Sequence, residues 1–159
     1  MTISTIGFIG LGVMGEAMCR NLARKGAWKV VAFDQKVEPL ERLRADGVGV
    51  ATSLRGLAQA ADVVILCLPG GREVEIVTQG ASGLISMMRP GQTLIDMSTA
   101  PPALMRKLAA DLAAKGATPL GYLMALSFPE APAYAWMAQF VDGLRAAQTR
   151  FGCQLLGGD

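Results

Sequence analysis

The chain has 159 residues, 52% of them apolar and 18% charged, which suits a compact globular core and excludes a disordered polymer. A formal net charge of +2 is too small to argue for nucleic acid or an anionic membrane surface as a partner. Histidine is absent and the three cysteines, Cys19, Cys67 and Cys153, show no metal-ligand spacing, so the commonest metal ligand and the commonest general base are both missing.

The opening MTISTIGFIGLGVMG has no basic leader and is broken by glycines, so it does not read as a secretory signal. No run reaches the ~18 apolar residues of a bilayer span. With an odd, unpatterned set of cysteines, the expectation is a reduced, cytoplasmic protein. The densest basic group, Lys36, Arg42 and Arg44, is interleaved with Glu38, Glu41 and Asp46, as on a solvated helix face.

In chain order, residues 5–9 form a short apolar strand ending in glycine. Residues 13–24 place Ala17, Met18, Leu22 and Ala23 at helical spacing, with Gly26 as the stop. WKVVAF (28–33) predicts a second strand closed by Asp34, and 37–46 a charged helix whose Leu40 and Leu43 face inward. A third short strand at 49–51 precedes Ser53, whose hydroxyl can accept an orphan amide hydrogen of a helix over 54–60. VVILCL (63–68) is apolar without alternation, as in a central parallel strand covered on both faces. Short helices at 73–78 and 84–88, a strand at 93–96, a helix at 101–115 with proline in its first turn, and a sixth strand at 117–120 continue the pattern. Strands alternating with helices predict an α/β fold, a Rossmann-type doubly wound parallel sheet.

Beyond Gly121 the pattern changes. Ser127 and Glu130 can form a capping box. Met137, Phe140, Val141, Leu144 and Phe151 mark one face of a C-terminal amphipathic helix over about 133–150. That face reads as a packing surface, with association with a partner or a second copy as the alternative.

Gly10, Gly12 and Gly15 form G-x-G-x-x-G between the first predicted strand and the first predicted helix. The first glycine permits a tight turn, the second lets a pyrophosphate approach the backbone, and the third lets helix and sheet pack closely. The helix amides and dipole then face the phosphates. Asp34 ends the second strand 22 residues beyond Gly12, where a carboxylate can accept the adenosine ribose hydroxyls and repel a 2′-phosphate. No arginine follows it; Gln35 and Lys36 do. The expected ligand is a nicotinamide dinucleotide, NAD in preference to NADP. Residues 1–121 are then a dinucleotide-binding domain and 122–159 a divergent tail.

GFIGLGVMGEAMCRNL resembles the opening signature of the β-hydroxyacid dehydrogenases, the family that includes 3-hydroxyisobutyrate dehydrogenase. LCLPGGREV (66–74), GQTLIDMST (91–99) and KGATPL (115–120) agree with it in order and spacing. The resemblance implies hydride transfer between the cofactor and a small 3-hydroxy acid. It also implies that amides around Leu11, Val13 and Met14 meet the pyrophosphate, that Leu68 and Pro69 lie along the cofactor, and that Thr99 touches its nicotinamide end. Glu73 stands where the family has a smaller polar residue. Read from the residues alone, Leu68 and Pro69 are equally a strand end and turn, and Ser98 and Thr99 can equally cap the following helix.

The resemblance stops after residue 120. The family's D-A-P-V-S-G-G substrate loop faces Gly121 to Ser127 here, and LLGGD at 155–159 resembles the family's next strand but arrives about a dozen residues late. The family's general acid/base is a lysine followed four residues on by an asparagine, whereas the last lysine here is Lys115. The family's all-helical second domain has no counterpart in these residues. The sequence therefore supports a truncated dehydrogenase, with a non-catalytic binding module, or the N-terminal domain of an imine or phosphogluconate type reductase, as alternatives.

Overall fold

The computed structural model of the protein describes residues 2–124 and 128–157. The chain divides into two compact units, Met1–Lys115 and Gly116–Asp159, a few residues ahead of the boundary expected from the sequence.

In the first unit, β1 (Thr5–Ile9), β2 (Lys29–Phe33), β3 (Gly49–Val50), β4 (Val63–Leu66) and β5 (Thr93–Asp96) form one parallel sheet in the order β3-β2-β1-β4-β5. The chain runs outward from β1 to β3, then crosses back to β4 on the other side of β1. The strand order therefore switches between β1 and β4, where open α/β sheets leave a crevice at the carboxyl ends of their strands.

The helices α1 (Val13–Lys25), α2 (Val37–Arg44), α3 (Leu54–Ala60), α4 (Gly71–Thr78) and α5 (Leu84–Met87) connect these strands, and α6 (Pro102–Ala113) follows β5. One buried cluster gathers Phe8, Cys19, Val30, Leu43, Val63 and Ile65; another gathers Ile9, Leu57, Val64, Leu66 and Leu84. Successive β4 residues alternate between the two clusters, and all four are buried. That two-sided burial is why VVIL shows no polar alternation. Ser53 caps α3 as expected, its Oγ accepting from the Gly56 amide at 3.1 Å. Asp62 accepts from the Ser4 and Thr5 amides at 2.9 Å each, tying the start of β1 to that of β4. Those bonds hold its carboxyl below the ordinary range.

The expected strand at 117–120 is irregular. The strand β6 (Gly121–Leu123) begins later and pairs in parallel with β7 (Gln154–Gly157), in a sheet of its own. Gly116 turns the chain at φ +81°, and Pro119 has no amide hydrogen to give a ladder, so pairing starts only past it. Between β6 and β7 runs α7 (Tyr134–Phe151).

The helix α7 does not start at the expected capping box. Ala133 is the N-cap and makes no side-chain cap bond; Glu130 precedes it, and Ser127 lies outside the described residues. Pro132 disfavours helical backbone at Ala131, which delays the helix start. Met137, Phe140, Val141 and Leu144 do share a face of α7 and line a groove with Met124 and Leu155. The side chain of Phe151, expected on the same face, is outside what the structure describes. Gln148 Nε2 donates to Tyr122 Oη at 3.0 Å, joining α7 to β6. Among the described residues, no helix is long and apolar enough to cross a membrane.

Candidate cofactor site

At the carboxyl edge of the first unit's sheet, the turn after β1 lies between the ends of β2 and β4. Gly10 adopts φ +94°, and its amide donates to the Phe33 carbonyl at 3.1 Å. A Cβ on Gly10 would stand 2.4 Å from the Cys67 carbonyl oxygen, and one on Gly15 only 2.0 Å from the Gly10 carbonyl oxygen. Real Cβ atoms do not approach so closely, so both glycines are sterically required for α1 to sit on the turn.

Gly12 is different. It is the N-cap of α1 with φ −66°, and a Cβ there would meet nothing within 4 Å. The space before it is open. Val13 and Met14 flank it, their side chains 94% and 67% exposed. Their amides lie in the first turn, where helix geometry supplies no acceptor, at the positive end of the dipole. An anionic group that needs close backbone approach fits this arrangement.

Asp34 is half-buried beside the turn. Its Oδ2 accepts from the Leu11 amide at 2.6 Å and its Oδ1 from the Lys36 amide at 2.8 Å. The carboxylate therefore braces the glycine turn against the β2–α2 turn. The Leu11 amide is engaged by Asp34 and not left for a phosphate, while the Leu11 side chain is core, 4% exposed. An ionised carboxylate has about four lone-pair sites, so acceptor capacity remains for ribose hydroxyls.

An ion-pair group backs the turn. Glu16, in the first turn of α1, pairs with Arg42 and Arg20 at 2.7 Å each; Asp46 pairs with Arg20 at 2.8 Å and Arg24 at 2.6 Å. The hydrogen bond from Arg42, above all, holds the Glu16 carboxyl down at about 2 against an ordinary 4.5. Arg42 of α2 and Asp46 just past its end are thus partners of α1, beside the solvated charges of that helix. The signal for this was the Glu16, Arg20, Arg24 series at i, i+4 spacing, which puts all three on one stripe of α1.

After β4 and β5 the structure brings Leu68, Pro69, Ser98 and Thr99 near one another. Leu68 is half-buried and its amide donates to Ser98 Oγ at 2.9 Å; the Ser98 amide donates to Asp96 Oδ1 at 2.9 Å. Pro69 and Thr99 are exposed. Neither Ser98 nor Thr99 caps α6, whose N-cap is Pro101, so that expectation is corrected: the Ser98 hydroxyl is spent on Leu68. Glu73 sits half-buried in the first turn of α4. Burial pushes the Cys67 thiol up, and that of Cys19 to about 12, which disfavours the thiolate at both.

Residues 5–122 match the family model described as the NAD binding domain of 6-phosphogluconate dehydrogenase. A second model, described as AIR synthase related protein, N-terminal domain, matches residues 102–159. The 3-hydroxyisobutyrate dehydrogenase of Pseudomonas aeruginosa is 38% identical over 116 residues, 73% of this chain and 39% of its own. The solved structure of Mycobacterium tuberculosis 3-hydroxyisobutyrate dehydrogenase with L-serine is 33% identical at TM-score 0.64, over 72% of this chain and 38% of its own. An imine reductase from Myxococcus stipitatus, in complex with NADP+, superposes at TM-score 0.67 over 96% of this chain and 55% of its own; at 16% identity this shows the fold alone. The chain spans about a third of the length of the curated relatives it matches.

Proposed function

Because the chain belongs to the β-hydroxyacid dehydrogenase family through its N-terminal NAD-binding domain, we propose that the glycine turn holds a nicotinamide dinucleotide, NAD in preference to NADP. One observation carries this reading: the open space before Gly12, at the head of a helix whose first amides have no internal acceptor. Gly12, Val13 and Met14 would take the pyrophosphate. Asp34, already fixed by two amides, would accept the adenosine ribose hydroxyls and meet a 2′-phosphate with like charge. Leu68 and Pro69 would lie along the cofactor, and Thr99 would touch its nicotinamide end. When bound, the cofactor supplies hydride chemistry, and a small 3-hydroxy acid is the substrate class proposed on the family's precedent.

A second reading is a binding module without turnover of its own. It is favoured by the match of residues 102–159 to a different family model and by the separate sheet that β6 and β7 form. Fluorescence titration of the full chain with NADH and NADPH tests the cofactor reading. Saturable binding, tighter for NADH, is expected; equal affinities or tighter NADPH binding would remove the role given to Asp34.

A further inference from the structure

We infer that Ser98, with Asp96 behind it, is a positioning residue for the nicotinamide half of the cofactor, a role that rests on the dinucleotide site proposed above. The strands β4 and β5 pair as far as Leu66 and Asp96. The last rung of their ladder is the Met97 amide donating to the Leu66 carbonyl at 2.9 Å. Past that rung the chains leave the sheet, and two loops expected to flank one ligand need another means of staying together.

A short relay supplies it. Asp96 Oδ1 accepts from the Ser98 amide, which fixes the turn after β5 and sets the Ser98 hydroxyl where a continued strand would have offered a carbonyl. That hydroxyl accepts from the Leu68 amide. Asp96 Oδ2 is buried without a hydrogen-bond partner among the described residues, so the Ser98 amide is the bond this carboxylate makes. Farther out the contact is apolar: a Cβ on Gly71 would stand 2.5 Å from Pro101 Cδ, so the starts of α4 and α6 abut. Pro69 and Thr99 lie between the relay and that contact, and both are exposed. The relay thus sets the spacing between Pro69, which would lie along the cofactor, and Thr99, which would touch its nicotinamide end. The adenosine half, served by Gly12 and Asp34 at the ends of β1 and β2, shares none of these bonds.

The test titrates the full chain, Ser98→Ala and Ser98→Thr with NADH and with ADP-ribose, which lacks the nicotinamide. Losing the relay bond should weaken NADH binding about three- to tenfold in Ser98→Ala, leave ADP-ribose unchanged, and be reversed in Ser98→Thr, which keeps a hydroxyl. Amide exchange at Leu68, followed by NMR without ligand, should speed up in Ser98→Ala alone. Equal weakening of both ligands, or undiminished NADH binding, overturns the positioning role. Unchanged exchange at Leu68 overturns the relay itself. If the unmodified chain bound neither ligand, the dinucleotide reading would fall and the positioning role with it, while the exchange measurement would still judge the relay.

Discussion

Gly12 and Gly15, three residues apart in one turn, should respond to substitution in opposite ways. At Gly15 a methyl group would be forced to 2.0 Å from the Gly10 carbonyl oxygen, with Gly10 C at 3.0 Å and Phe8 Cε1 at 3.4 Å. Ordinary contact begins more than an ångström farther out, and the obstacle is backbone, which cannot rotate away. Overpacking typically costs about 1–3 kcal/mol, and this geometry belongs at the top of that range. For a chain of this size, a loss of about 3 kcal/mol lowers Tm by roughly 6–12 °C. A Cβ at Gly12 meets no atom within 4 Å, and φ −66° with ψ −170° is extended backbone open to L-residues. The effect of Gly12→Val on folding should stay within about 1 kcal/mol. Its isopropyl group, however, would fill the space proposed for the pyrophosphate. Melting by circular dichroism and NADH titration on the same samples separate the two effects. Gly15→Ala should melt several degrees low; Gly12→Val should melt normally and fail to bind. A Gly15→Ala variant as stable as the parent, or a folded Gly12→Val variant of unchanged affinity, would refute the reasoning.

Two further outcomes follow from the residues around that turn. Asp34→Ala should weaken NADH and NADPH together, because it also frees the Leu11 amide, whereas Asp34→Ser with Gln35→Arg should shift preference toward NADPH; parallel fluorescence titrations distinguish the two. Glu16 is depressed from 4.5 to about 2, so its ion pairs stabilise the fold fully above about pH 4.5 and are lost as pH falls toward 2. Acid-unfolding curves of Glu16→Gln should be flatter across that window, and added salt should narrow the difference from the parent, since Arg42 is 56% exposed.

What was legible in the sequence was local or periodic. The β4 run announced its two-sided burial by lacking alternation, and Ser53 announced its cap because donor and acceptor sit three residues apart. The glycine turn was legible because its spacing encodes its geometry. The contacts that stiffen the site were not: Leu11 to Asp34, Arg42 to Glu16, and Leu68 to Ser98 span 23, 26 and 30 residues. Only the parallel crossovers close those separations, and a serine after a strand looks the same in sequence whether it caps a helix or bridges two loops. The strand misplaced at 117–120 has a similar cause. Its ladder partner stands at 154–157, beyond a helix, and Pro119 rather than apolar character decides where pairing starts.

Activity is where the two functional readings part. The 159-residue chain should show no, or barely detectable, oxidation of 3-hydroxyisobutyrate or glycerate with NAD. Residues suited to the cofactor are present, but those the family resemblance assigns to the substrate are not. Positions 121–127 carry neither the aspartate nor the serine-glycine-glycine of the carboxylate loop, and no lysine follows Lys115. Lys107 is half-exposed and paired with Glu75 at 3.2 Å on α6, an unpromising place for a proton donor. General acid/base catalysis contributes on the order of a hundred- to ten-thousandfold, and substrate orientation contributes several orders more. Without both, a bound cofactor would lack the groups that the family resemblance assigns to protonating and aligning its reaction partner. Initial rates over a panel of 3-hydroxy acids, on a sample already shown to bind NADH, would measure this directly. Turnover near about 1 per second, an ordinary enzyme rate, would mean that an acid/base group other than lysine or histidine serves this chain.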